Sequence, residues 1–150
     1  MSAKAISKFC MGAMAVYALV VSVLWVSITE IMFVSDYEGV TGQPLSEALA
    51  AGLKSAELWL ATKRLVGILL LAASVLMVFV VYGAFNQGEK WAWYGLLVAG
   101  LITWGSLIGY KAAIGYFRLS GSSMTFIIGA VLYVIGIAFS AKWILGAEGG

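Results

Sequence analysis

Four long apolar segments constrain the fold of this 150-residue sequence more than any other feature. A helix needs about 20 apolar residues to cross the ~30 Å hydrocarbon core of a bilayer. Each segment meets that length, and none shows the period-two alternation that a membrane β-barrel requires. The sequence therefore predicts four transmembrane helices, at residues 9–34, 65–85, 91–117 and 124–145.

Composition supports a membrane protein and excludes a soluble domain. Hydrophobic residues make up 63% of the chain and charged residues 11%, whereas soluble domains average roughly 45–50% and 25%. A soluble domain of this size cannot bury so much apolar surface. We expect an all-α integral membrane protein in which residues 1–150 form one four-helix bundle domain surrounded by the lipid bilayer. The basic residues are scattered rather than clustered, so no nucleic-acid partner is expected.

The ends of the first segment bear on topology. Its apolar stretch, residues 9–34, is too long for the 7–15-residue core of a cleaved signal peptide, so we expect a retained helix. Lys4 and Lys8 precede it, and basic residues before the first span favour a cytoplasmic N-terminus. With four spans, both termini are then predicted to be cytoplasmic. Short connections near Asn86–Lys90 and Ser120–Ser123 predict that consecutive helices are neighbours.

The polar stretch between the first two spans contains a predicted amphipathic helix. Ser35–Gly39 reads as a loop, and Pro44 suits the first turn of a helix at about residues 44–60. Apolar residues recur there at helical spacing, which predicts a helix lying in the membrane interface or capping the mouth of the bundle. The apolar stripe includes Leu45, Ala48, Leu49, Leu53, Ala56 and Trp59.

Missing residue types exclude several kinds of chemistry. The chain contains no histidine, so a Ser/His/Asp triad and His-ligated haem, copper or zinc are excluded. Its single cysteine, Cys10, has no partner for an internal disulfide or a C-x-x-C redox pair. No two carboxylates fall together within a span. We expect no catalytic residues, no cofactor and no metal site, and so predict that the protein is not an enzyme.

Glu30 is the acidic residue that stands out, because an ionisable side chain near membrane depth is costly and is usually paired. A rise of 1.5 Å per residue places Glu30 and Lys111 at nearly the same level of their helices. We predict that Glu30 contacts Lys111 first, and Lys63 or Arg64 second. The alternative is a functional carboxylate on an ion or proton path.

Glycine spacing predicts close helix packing in the last two spans. Gly105 and Gly109 form a G-x-x-x-G pattern that allows another helix to approach closely. Gly129 and Gly136 also lie on one stripe, seven residues apart in the sequence. The pattern leaves open whether the partner helix belongs to this chain or to another protein.

Two motifs open the middle helices, Arg64-Leu65-Val66-Gly67 and Gly88-Glu89-Lys90-Trp91-Ala92-Trp93-Tyr94. Together they resemble small uncharacterised four-helix membrane proteins of prokaryotes that have a G-E-K/R-W-A-W entry to the third helix. The resemblance covers mainly residues 62–104. It implies a four-helix protein of the prokaryotic cytoplasmic membrane, and it carries over no activity and no catalytic residue.

Absent catalytic groups and close-packing glycines together favour a structural role. We expect a non-catalytic accessory or structural subunit of a larger integral membrane complex, with other membrane subunits or a second copy of itself as partners. The alternative is a small membrane transport or lipid- or quinone-binding protein.

Overall fold

A computed structural model describes residues 2–113 and 122–146 of the chain. Within those ranges the backbone forms six α-helices and one 3₁₀ turn, and it contains no strand. The helices are α1 (Ala3–Ser27), α2 (Thr29–Thr41), α3 (Leu45–Ala50), α4 (Lys54–Gly83), α5 (Lys90–Ala113) and α6 (Ser122–Leu145), and the 3₁₀ turn is Phe85–Gln87. The all-α class predicted from the sequence is confirmed.

Four helical segments of the described chain are long and apolar enough to cross a membrane. They correspond to the four predicted spans, although their ends differ from the prediction. The second begins eleven residues earlier than predicted, at Lys54 instead of residue 65. Residues 114–117, the predicted end of the third span, lie outside the described residues. The segments are Ala3–Ser27, Lys54–Gln87, Lys90–Ala113 and Met124–Leu145.

The first predicted span is interrupted at Ile28, which leaves the helical region with φ −126° and ψ 40°. Beside the break, the Thr29 hydroxyl donates a hydrogen bond to the Trp25 carbonyl at 2.6 Å. Such a bond back to the preceding turn bends helices. The chain then continues as α2, so the loop predicted at Ser35–Gly39 is wrong: those residues are helical.

The predicted amphipathic helix at 44–60 is also wrong as a single element, because the chain turns at Gly52. This glycine has φ +67°, a conformation that residues with a side chain rarely adopt. It separates α3 from α4, and the second half of the predicted helix is the first part of α4. Residues 29–60, named here the helical cap, enclose a small apolar cluster of Tyr37, Leu45, Ala48 and Ala56.

The four long helices do not pack equally. The most extensive interfaces join α1 to α4 and α1 to α6, and α5 packs mainly on α6. In contrast, α4 and α5 touch only lightly although they are consecutive in the chain. The helices therefore follow the order α4, α1, α6, α5, with an open seam between α4 and α5.

Polar side chains inside the bundle bind atoms of neighbouring helices. The Ser7 hydroxyl donates to the Gly136 carbonyl at 3.0 Å, and the Tyr133 hydroxyl donates to the Leu97 carbonyl at 2.6 Å. The Trp93 indole N–H donates to the Ser140 hydroxyl at 2.8 Å. Since an unsatisfied polar group is costly in an apolar medium, these bonds help to fix the helices against one another.

Candidate functional site

A buried ion pair joins the helical cap to the bundle. The Lys111 ammonium of α5 donates to Asp36 Oδ1 of α2 over 2.5 Å, and each side chain is 1% exposed. Burial of two charges is expensive, and the pair persists because each ion is the other's counter-charge. The ion pair therefore makes the position of α2 depend on α5.

The predicted contact between Glu30 and Lys111 is wrong, because Lys111 binds Asp36 instead. The helical path of α2 explains the difference. Thr29, Phe33, Asp36 and Tyr37 share the buried face of α2, whereas Glu30 is on its exposed face. Within the described residues, no ion pair joins Glu30 to a basic side chain.

Lys63, predicted as a second partner of Glu30, lies beside Tyr110 of α5. Its ammonium donates to the Tyr110 hydroxyl over 2.6 Å. It also lies 4.5 Å from the centre of the Trp59 ring and 5.3 Å from that of Phe33, within the range of cation–π attraction. Arg64, the next residue, is exposed.

Asp36, Lys63, Tyr110 and Lys111, named here the charge cluster, form one electrostatic unit. Lys63 is close enough to Asp36 and Lys111 to interact with both charges. Among these four described side chains, two cations accompany one carboxylate. The cluster is therefore suited to hold an additional anionic group.

Aromatic rings cover the charge cluster on the side of the bundle interior. The Trp25 ring centre is 4.7 Å from that of Phe33 and 5.8 Å from that of Phe126. Phe126 in turn lies 5.8 Å from the Lys111 ammonium. These rings lie next to the charges, at the boundary with the apolar core of the long helices.

The charge cluster contains side chains of types that can transfer protons, namely Asp36, Lys63 and Tyr110, but its four residues include no serine or cysteine beside a base. Among residues 2–113 and 122–146, no group of three His, Cys, Asp or Glu side chains is placed to hold a metal ion. What the cluster offers chemically is positive charge and hydrogen-bond donors beside apolar walls.

The predicted helix-packing glycines divide into two groups. Gly129 and Gly136 are inside the bundle, where an added Cβ would lie 2.1 Å from the Trp104 ring and 2.5 Å from the Met11 sulfur. Gly105 and Gly109 are exposed, and among the described residues a Cβ on either would meet nothing within 4 Å. The G-x-x-x-G pattern of α5 thus faces away from the other described helices.

Gly100 is a packing glycine that the sequence patterns did not predict. A Cβ on Gly100 would lie 2.1 Å from the Tyr133 ring, so this glycine makes room for the ring between α5 and α6. In the sequence, Gly100 could have been recognised by its position four residues before Trp104, which places both residues on the buried face of α5.

The exposed small-residue surface of α5 lies on the far side of the helix from Lys111. Lys111 follows Gly109 by two residues, which is about 200° around the helix axis. We name this surface the α5 outer face: Val98, Ile102, Gly105, Gly109 and Ala112, all exposed. No protein-family model, curated protein or solved structure matches this chain. The charge cluster and the α5 outer face are the two features that bear on function.

Proposed function

We propose that the protein is an integral membrane protein that serves as a non-catalytic subunit of a larger membrane complex. A transmembrane helix of another subunit docks against the α5 outer face. The observation that carries the proposal is the exposure of Gly105 and Gly109: in the described part of the chain, no atom of another element lies within 4 Å of their Cβ positions.

Packing inside the bundle supports this assignment by contrast. Gly100, Gly129 and Gly136 each receive a large side chain of another helix. Gly105 and Gly109 receive none, although glycine within a helix costs about 1 kcal/mol relative to alanine. A helix from a second subunit would use the space that these glycines leave, because small residues let helix backbones approach closely within lipid.

The surface around the two glycines is suited to a helix partner. Val98 and Ile102 on the same face are 56% and 64% exposed, and the face carries no charged side chain between them and Ala112. An apolar ridge beside a shallow glycine groove is the surface that close helix pairing within a bilayer uses. The assignment to a subunit rests on this face.

Gentle purification from native membranes tests the proposal. The chain should elute in mild detergent as a complex of fixed mass that contains a second polypeptide in constant ratio. Gly109→Leu should release the chain from that complex, because the larger side chain fills the groove.

A matched variant controls for the added side chain. Gly83→Leu introduces the same change at another exposed glycine with nothing within 4 Å, and it should leave the complex intact. A wild-type chain that purifies alone would contradict the proposal. If the purified particle contains only copies of this chain, the proposed second subunit is wrong and the protein forms a homo-oligomer instead.

A further inference from the structure

Four cavities that share lining residues follow one another along the seam between α4 and α5, and we name this row the crevice. At the end nearest the cap, one cavity of about 410 Å³ and another of about 320 Å³ share Thr62, Lys63 and Tyr110 as lining residues. The cap-side cavity of about 320 Å³ shares the lining residues Trp25, Leu107 and Phe126 with a smaller cavity of about 40 Å³. The small cavity in turn adjoins a further one of about 320 Å³ at Ala73, Met77 and Thr103.

Together the cavities extend over a length comparable to that of an extended hydrocarbon chain. It reaches along α4 from Lys63 to Val80, a distance of about 25 Å at 1.5 Å per residue. One leaflet of a bilayer is about 15 Å deep, half of the ~30 Å hydrocarbon core. Beyond Lys63 and Tyr110 its walls are mainly apolar, with side chains such as Leu70, Ala73 and Met77.

The charged end of the crevice is formed by Lys63. In the described part of the chain, Asp36 forms an ion pair with Lys111, and no carboxylate lies within ion-pair distance of the Lys63 ammonium. The Lys63 ammonium instead contacts the Tyr110 hydroxyl and lines both cap-side cavities. Thr62 and Ser106, which carry hydroxyl groups, also line the cap-side cavity of about 320 Å³.

We propose that this crevice binds an anionic phospholipid, with its phosphate at Lys63 and one acyl chain along the seam between α4 and α5. Charge complementarity selects an acidic headgroup, since the cluster has more positive than negative charge. Basic pockets between transmembrane helices bind acidic headgroups in this way. The apolar length of the crevice selects a lipid over a free anion. The inference rests on the membrane location proposed above but not on the presence of a second subunit.

Lipid binding to the purified full-length chain tests the proposal without any partner. Native mass spectrometry is carried out in detergent with dioleoyl phosphatidylglycerol, with dioleoyl phosphatidylcholine and with inorganic phosphate. Phosphatidylglycerol should remain bound with at least about fivefold preference over phosphatidylcholine, since one lysine near the headgroup supplies a difference of that order. Inorganic phosphate alone should not bind at millimolar concentration. Equal retention of the two lipids, or binding of phosphate alone, would overturn the proposal.

Charge variants locate the headgroup. Lys63→Gln should reduce phosphatidylglycerol affinity about fivefold or more, and Lys63→Arg should preserve it. Lys54→Gln removes an exposed lysine from the same helix and should have no effect. If Lys63→Gln binds the lipid as tightly as the wild type, the assignment of the headgroup to Lys63 is overturned.

A pair of adjacent alanines locates the acyl chain and keeps the test valid if the lysine variant fails to fold. Ala73 lines the crevice and Ala72 does not. Ala73→Phe should therefore weaken phosphatidylglycerol binding, whereas Ala72→Phe, one position further around α4, should not. Equal binding of phosphatidylglycerol by the two variants would contradict the placement of the acyl chain in the seam.

Discussion

Lys111 and Asp36 are 75 residues apart in the sequence and form a buried ion pair with a separation of 2.5 Å. The pair joins α5 to α2 and therefore joins the bundle to the helical cap. It also places the Asp36 and Lys111 charges close to the Lys63 ammonium. The architecture of this end of the molecule depends on that contact.

Asp36→Asn should destabilise the protein strongly, because it leaves the Lys111 ammonium buried without its counter-charge. Removal of one partner of a buried pair costs about 3–5 kcal/mol. The thermal midpoint of the detergent-solubilised protein should fall by roughly 10 °C. Glu30→Gln is the control, since Glu30 is exposed, and its midpoint should stay within about a degree of the wild type. A large loss with Glu30→Gln and none with Asp36→Asn would reverse the assignment.

A double variant measures the interaction itself. Asp36→Asn combined with Lys111→Met should lose less stability than the sum of the two single variants, because no charge is then left unpaired. Additive losses in the same thermal assay would show that the two side chains do not interact.

Gly129→Ala should lower the thermal midpoint, because the new Cβ would lie 2.1 Å from the Trp104 ring and the core resists overpacking. The expected loss is about 1–3 kcal/mol. Gly105→Ala is the matched change on the α5 outer face. It should stabilise the isolated chain by up to about 1 kcal/mol, through helix propensity alone. Equal effects of the two changes would contradict the inward and outward placement of these glycines.

Leu45→Ala should loosen the helical cap, since Leu45 is 1% exposed and packs with Tyr37 and Ala56. A buried Leu→Ala change costs about 2–5 kcal/mol. Amide hydrogen exchange in detergent micelles should show faster exchange across α2 and α3 in this variant. Leu53→Ala alters a residue that is 39% exposed and should change exchange little. Unchanged protection in Leu45→Ala would show that the apolar cluster does not hold the cap together.

The four span-length helices could be predicted from the sequence because hydrophobic length alone determines them. The amphipathic stripe from Leu45 to Trp59 was also visible. Its interruption at Gly52 was not predicted, because a helical spacing of apolar residues continues across that glycine. The glycine itself was the available signal, since it adopts the positive φ that ends a helix.

The partner of Lys111 could not be predicted from depth along straight helices. Polar composition made Ser35–Gly39 resemble a loop, and a loop does not define which side chain faces inward. Once the segment is helical, the spacing of Thr29, Phe33, Asp36 and Tyr37 places the Asp36 carboxylate inside. The open seam between α4 and α5 depends on which of the four long helices pack against one another. Their apolar surfaces are similar, so the hydrophobic pattern does not predict the pairing.

Photo-crosslinking from Ile102 in native membranes tests the docking of another subunit on the α5 outer face most directly. A benzophenone amino acid at Ile102 should give one adduct of defined mass with a second polypeptide, and Gly109→Leu should abolish that adduct. The same probe at Leu69, which is 62% exposed on α4, should give no such adduct. Absence of a protein adduct at Ile102, or an adduct that persists in Gly109→Leu, would contradict the proposed interface.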